Sequence, residues 1–318
     1  MARIAVHVLT GFLGSGKTTL LQGLLAVPVL ADTAVLVNEF GEVGIDHLLF
    51  EEMVEDVVLL KSGCLCCSVR GDVKQAVLRL RARAAAGEIP CFSRLVIETT
   101  GLADPAPLLA TFHADPMLSH HHRVKSVVTV VDAVSGCNNL SRFEEAVRQV
   151  AAADLLVVSK IDLAIEEKVQ ELRRRLSAIN PVARVEQRSP QEPALADWLF
   201  AAPDRVPFVE APREVLDHAG VRSFVLRAAE PVDWAAFGLW LSMLLNRHGK
   251  HILRVKGLLW IAGADGPVLI QGVQHIIHPP EHLSGWSDEP RTEIVMIAQN
   301  LDGALVQQSF AAALSLSS

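Results

Sequence analysis

The 318-residue chain has no tyrosine, aromatics make up only 5 % of it, and it contains no apolar run near the ~18 residues needed to cross a bilayer. Positive charge is in deficit. Lys and Arg number 29 against 36 Asp and Glu, for a net charge of −7, so nothing favours a nucleic-acid partner. The opening MARIAVHVLTGFLGSGK lacks a separate hydrophobic core and cleavage site, which argues against a signal peptide and a membrane partner. Cysteine is sparse and odd in number, five in all, as expected for free thiols in the reducing cytoplasm. No internal repeat or long histidine-rich tract is present. Half the residues are hydrophobic and a fifth charged, the composition of an ordinary soluble globular protein.

The first 190 residues alternate short β-branched runs with helical stretches. Candidate strands are 3–9, 34–38, 57–60, 94–98, 127–132 and 155–159. Their apolar residues are continuous rather than alternating, which suits parallel strands covered on both faces. The expected fold is α/β, a doubly wound, mostly parallel P-loop NTPase sheet spanning 1–187. Four prolines between 188 and 208 mark a linker. Beyond it, 209–318 reads β-α-β-β-β-α, a smaller α+β domain with an antiparallel sheet.

Residues 11–18, GFLGSGKT, match the phosphate-binding pattern G-x-x-x-x-G-K-[ST], with a strand running in and a helix running out. Gly11, Gly14 and Gly16 let backbone N–H groups face phosphates. Lys17 is placed to reach the β- and γ-phosphates and Thr18 to bind Mg²⁺; Ser15 and Thr19 complete the candidate contacts. Glu98 ends the strand RLVIE and Gly101 follows three residues later. This spacing suits a Mg²⁺-side carboxylate and a turn that senses the γ-phosphate, although a solvated strand-end acid would read the same way. Lys17 and Glu98 are the catalytic candidates. After LLVVS comes Lys160-Ile161-Asp162. The lysine stem can cover a base while the carboxylate accepts from guanine's ring N–H and exocyclic amine, a donor pair adenine lacks, so GTP is favoured over ATP.

Three of the five cysteines, Cys64, Cys66 and Cys67, fall within KSGCLCCSVR. A disulfide between such close neighbours would be strained. A soft-metal site, a redox site or coincidence remains. Thiolates suit Zn²⁺ or another late divalent metal such as Co²⁺. In an extended segment Cys64 and Cys66 share a side and Cys67 points away, so further donors are needed, with Glu39, Glu42 or a histidine as candidates. His120, His121 and His122, with His113 nearby, read either as a second ligand set or as a polar loop; His275, His278 and His282 read as surface residues.

Taken in order, GFLGSGKTT, NEFGEVGID (38–46), SGCLCC (62–67), IETTGLADPAP (97–107) and SKIDL (159–163) resemble the CobW family of P-loop GTPases, relatives of UreG and HypB. LRVKGLLWI, QGVQ and RTEIVMIAQNL resemble that family's C-terminal domain. The resemblance implies slow, Mg²⁺-dependent GTP hydrolysis to GDP coupled to metal delivery, with Cys-x-Cys-Cys as the metal signature. The implied partners are a metalloprotein or metal-cofactor client and a nucleotide- or metal-dependent homodimer. The absence of a histidine-rich reservoir favours transfer over storage. The family's usual Asn or Thr before Lys-x-Asp is Ser159 here, which is expected to loosen the base pocket. The alternative reading is a metal-responsive regulatory protein with incidental turnover.

Overall fold

The computed structural model describes residues 3–25, 32–37, 59–61, 69–188, 220–286 and 289–315. By packing, the chain divides into two units, Met1–Arg173 with Ala183–Pro203 and Arg174–Val182 with Asp204–Ser318.

The first unit is organised by a seven-stranded sheet: β1 (Ile4–Gly11), β2 (Thr33–Val37), β3 (Leu59–Lys61), β4 (Arg94–Glu98), β5 (His122–Asp132), β6 (Leu155–Ser159) and β7 (Arg184–Gln187). The spatial order is β3-β2-β4-β1-β5-β6-β7, and every pairing is parallel. Continuous Val, Leu and Ile runs make the middle strands buried on both faces, as a parallel sheet covered by helices requires. Two features depart from the sequence expectation. β5 starts at His122 rather than 127, because its first half, HRVKS, alternates buried and half-exposed residues instead of forming an apolar run. β7 is a polar edge strand, RVEQ, with one aliphatic residue, and leaves no apolar signature.

The connecting helices are α1 (Lys17–Leu25), α2 (Val69–Ala85), α3 (Ala106–Ala114), α4 (Pro116–His121), α5 (Gly136–Arg142), α6 (Glu144–Ala152) and α7 (Glu166–Ile179). α1 drives Leu20, Leu21 and Leu24 against Leu9, Val35, Val96, Val128 and Val157 of the sheet. Each such buried leucine contributes roughly 1.5–3 kcal/mol relative to exposure. α2 is closed by Gly87 at φ 72°, whose N–H donates to Ala84 O at 3.1 Å while Glu88 N–H donates to Arg83 O at 3.0 Å, a Schellman closure. α4 is opened by Asp115, whose carboxylate accepts from Met117 and Leu118 N–H at 3.0 and 3.1 Å, the usual N-cap role of aspartate.

The second unit contains β8 (Val221–Ala228), α8 (Trp234–His248), β9 (Ile252–Leu259), β10 (Val268–Val273), β11 (Ile276–Ile277), β12 (Glu281–His282), β13 (Thr292–Gln299) and α9 (Gly303–Ser315). Its sheet runs β11-β10-β9-β13-β8, with β12 on β10, and its pairings are antiparallel. Residues 267–277, PVLIQGVQHII, form one largely apolar stretch of sequence. The chain reverses within it at Gln274, with φ at 54°, and pairs Val273 with Ile276. α8 and α9 bury Phe237, Trp240, Leu244, Val306 and Phe310 against one sheet face. Among the described residues no helix is long and apolar enough to cross a membrane.

Candidate functional site

Because the first sheet is wholly parallel, the ends of β1, β2, β3 and β4 (Gly11, Val37, Lys61 and Glu98) lie along one edge, the edge where open α/β sheets bind ligands. The loop between β1 and α1 turns there through glycines at positive φ, Gly11 at 146°, Gly14 at 70° and Gly16 at 93°. At Gly11 a side chain is excluded twice over, since a Cβ would run into the Val130 carbonyl oxygen and lie 2.8 Å from Ser15 Oγ. Lys17 is buried, and its ammonium donates to Gly11 O at 2.9 Å and Phe12 O at 3.3 Å. The cation is thereby held across the loop. Ser15 is buried, Gly14 exposed, and Thr19 lies on the exposed side of α1.

Thr18 Oγ1 donates to Glu98 Oε1 at 2.8 Å, so the first turn of α1 is tied to the end of β4. Glu98 is 4 % exposed. A hydroxyl and a buried carboxylate side by side form a hard oxygen donor set, the kind that fits Mg²⁺ rather than a soft metal. The next residue, Thr99, donates through its hydroxyl to Thr10 Oγ1 at 2.8 Å and through its backbone to Leu9 O at 2.9 Å, so the chain leaves β4 pinned to β1. It then presses Gly101 onto the phosphate loop. A Cβ there would sit 2.6 Å from Leu13 Cδ2 and 2.8 Å from Leu13 Cα and N.

At the end of β6, Lys160 adopts a left-handed backbone, φ 55°, a conformation that costs a non-glycine residue on the order of 1 kcal/mol. The turn sends its ammonium back to Gly14 O and Asp132 Oδ2, both at 2.7 Å. Asp132, at the end of β5, also accepts from Val134 and Ser135 N–H at 2.6 and 3.3 Å. Burial alone would raise its pKa, but Lys160 and these two N–H groups hold the carboxyl below the usual carboxylate range. Ser159 was expected to loosen the pocket. Its hydroxyl donates to Ser15 O at 2.6 Å and so ties the phosphate loop to β6. Asp162 is exposed in the single 3-10 turn Ile161–Leu163.

Sequence reasoning passed over Asp132, although VVTVVD presents the same strand-end carboxylate as RLVIE. It also passed over Gln149, which carries no motif. Cys64, Cys66 and Cys67, together with Glu39 and Glu42, lie outside the described residues.

The histidines lie elsewhere. His122 pairs with Ile4 at the start of β1, whereas Gly11 pairs with Val130; seven residues of strand at ~3.3 Å each separate the two levels by roughly 23 Å. His120, His121 and His122 therefore stand at the opposite edge from the phosphate loop. His122 is 3 % exposed and donates from Nδ1 to Leu118 O at 3.1 Å. Burial, despite that hydrogen bond, and the nearby Arg81 and His121 push it down to about 4. It is a neutral core residue rather than part of a polar loop. His275 and His282 are exposed and His278 half-buried. Among the described residues no group of three or more His, Cys, Asp or Glu is arranged to hold a metal.

Residues 5–187 match the family model of the CobW/HypB/UreG nucleotide-binding domain, and residues 221–314 that of the CobW C-terminal domain. The chain is 34 % identical over 321 residues to the zinc chaperone YjiA of Escherichia coli, covering 98 % of this chain and 99 % of YjiA. It is 31 % identical over 356 residues to the zinc chaperone CobW of Pseudomonas aeruginosa, covering 99 % and 92 %. The crystal structure of Zn(II)-bound YjiA GTPase is similar to it with a TM-score of 0.76 at 30 % identity, over 98 % of this chain and 99 % of that one. With both halves of the chain and the order of the phosphate-loop elements in agreement, the protein belongs to the CobW/HypB/UreG family.

Proposed function

We propose that the protein is a metallochaperone GTPase that carries Zn²⁺, or a similar late divalent metal, on thiolates of Cys64, Cys66 and Cys67 and couples its transfer to a client with GTP hydrolysis. The observation that carries the nucleotide half is the 2.8 Å bond from Thr18 to the buried Glu98. It brings an oxygen donor pair to the root of a glycine loop whose lysine is already in place. The cysteine half rests on the SGCLCC run and on relatives named zinc chaperones.

In the reaction a water oxygen bonds to the γ-phosphorus of GTP as the bond from that phosphorus to the β–γ bridging oxygen breaks; GDP and phosphate leave, and the water's protons pass to phosphate and solvent. Lys17 offsets the charge that builds on the phosphate oxygens. Backbone N–H groups of the loop at Gly14 and Gly16 orient the phosphates, the Ser15 N–H closes the loop on Phe12 O at 3.1 Å, and the helix start at Lys17 adds the favourable end of its dipole. Thr18 and Glu98 would hold Mg²⁺, which when bound neutralises charge on the β- and γ-oxygens. Asp162 reads guanine, with Lys160 holding the base-side turn against Gly14. Catalysis is positional and electrostatic, and turnover without a partner is slow.

One experiment addresses both halves. Zn²⁺ is titrated in competition with a chelator in the presence of a nonhydrolysable GTP analogue and then of GDP, with the wild type and with Cys64→Ala/Cys66→Ala. The expected result is tighter metal binding with the GTP analogue, by a factor within the ~5–150-fold range of ordinary coupling, and loss of the tight site in the double variant. Equal affinities in both nucleotide states would remove the coupling. A tight site surviving the double variant would remove the cysteines.

A further inference from the structure

Gln149 on α6 is fully buried, yet its side chain does nothing for its own helix. Its Nε2 donates to Gly101 O at 3.2 Å and Ala103 O at 3.0 Å, both in the turn after β4. The neighbouring Arg148 reaches the same turn, with its guanidinium 3.6 Å from Asp104. Thr129 Oγ1 on β5 donates to the Gln149 carbonyl at 2.8 Å, which fixes the helix at that point. The side chains of two successive α6 residues thus grip one turn, and that turn packs Gly101 on Leu13 of the phosphate loop. Holding the carbonyls on either side of Leu102 sets which way the peptide units of the turn face. Breaking those bonds inside the protein would leave buried carbonyls without donors, which costs more than keeping them. The turn and α6 therefore move as one piece.

We propose that Gln149 is the positioning residue through which the presence of the γ-phosphate reaches α6, and that it sets the discrimination between GTP and GDP. This rests on reading the Gly101 turn as the γ-phosphate sensor. A small cleft beside the amide is lined by Phe12, Ser15, Asp132 and Gln149, so residues of the phosphate loop and of α6 share one lining.

The test is hydrogen exchange of the full chain with a nonhydrolysable GTP analogue and with GDP, alongside affinities for both, in the wild type and in Gln149→Met, an unbranched side chain without donors. In the wild type, amides of 99–104 and of 144–152 should both exchange differently in the two nucleotide states. In Gln149→Met the difference at 144–152 should vanish, GDP affinity should hold, and GTP-analogue affinity should fall on the order of tenfold, the factor corresponding to ~1.4 kcal/mol. A wild type with no difference at 99–104 overturns the sensor reading and the proposal with it. A difference at 99–104 with 144–152 silent, or a Gln149→Met protein that keeps both the exchange pattern and the affinity ratio, overturns the proposal alone. If Gln149→Met fails to fold, Gln149→Glu serves. Its carboxylate has no donor at neutral pH and regains an O–H as pH falls, so its GTP/GDP affinity ratio should recover towards wild type in acid, and no recovery refutes the proposal.

Discussion

Replacing Gly101 with alanine adds one methyl group, and the structure specifies what that methyl meets. One of its three closest neighbours is the movable Leu13 Cδ2 at 2.6 Å; the other two, Leu13 Cα and N at 2.8 Å, are backbone of the phosphate loop. Real Cβ atoms do not tolerate such distances, so the loop or the turn must shift. Overpacking of this kind costs about 1–3 kcal/mol. At about 2–4 °C per kcal/mol for a domain of this size, the melting temperature should fall by roughly 2–12 °C. Taken instead from the loop's binding-competent shape, the same energy weakens nucleotide binding by ~5–150-fold. Thermal denaturation and titration with a fluorescent GDP measure the two effects. The decisive arm is the double variant Gly101→Ala/Leu13→Ala. It removes the side-chain contact and leaves both backbone contacts, so recovery should be partial at most. Full recovery of affinity would show that the close approach is a side-chain matter and that the backbone argument is wrong.

Two further expectations concern charge. His7, hydrogen-bonded to Ser126 Oγ at 2.8 Å, is pushed down to about 4 by burial and by Arg94 and Lys125, and His122 to a similar value. Both are neutral in the fold and take up a proton on unfolding, so their stabilising effect is complete above pH 6.5 and is lost as the pH falls towards 4. The loss is on the order of 3 kcal/mol per histidine; urea denaturation from pH 7 to pH 4 should show it, and a flat profile would refute the neutral assignment. Asp162→Asn should weaken GTP binding far more than XTP binding, because the acid's two acceptor contacts are specific to guanine. Equal losses in a paired titration would place base recognition elsewhere.

Much of this site was legible because its chemistry demands residue types that are rare in combination. A glycine at Gly11 with a lysine at Lys17 between a strand and a helix admits few readings, and the structure places Thr18 on Glu98 across eighty residues of sequence. Runs of Val, Leu and Ile gave away β1, β4 and β6, because strands of a covered parallel sheet are buried on both faces. What escaped had no local signature. β7 takes its structure from the neighbouring strand rather than from its own polar residues. Gln149 looks like any helical glutamine until the turn of Gly101–Ala103 arrives against it, a contact between residues 48 apart. His122 read as polar because what surrounds it, the pairing with Ile4 of β1 and the ring of Phe112, is brought there by the fold.

The order of the strands also sets how the two ends of the proposed machine can communicate. β3, whose end leads into the cysteine run, is three strands from β1, so at ~4.8 Å per strand the phosphate-loop and cysteine-side strand ends are held about 14 Å apart. Across that gap in water, a pair of unit charges interacts by only about 0.3 kcal/mol, and the gap exceeds the roughly 8 Å screening length of physiological salt. Even a doubly charged metal facing several phosphate charges would keep little of that attraction after screening, short of the ~1–3 kcal/mol of ordinary coupling. Nucleotide and metal anchored at those ends would be nearly deaf to each other through the field. Their conversation would have to be mechanical, carried by covalent chain pulled or released at the sheet's edge, and it should therefore survive salt concentrations that abolish a purely electrostatic link.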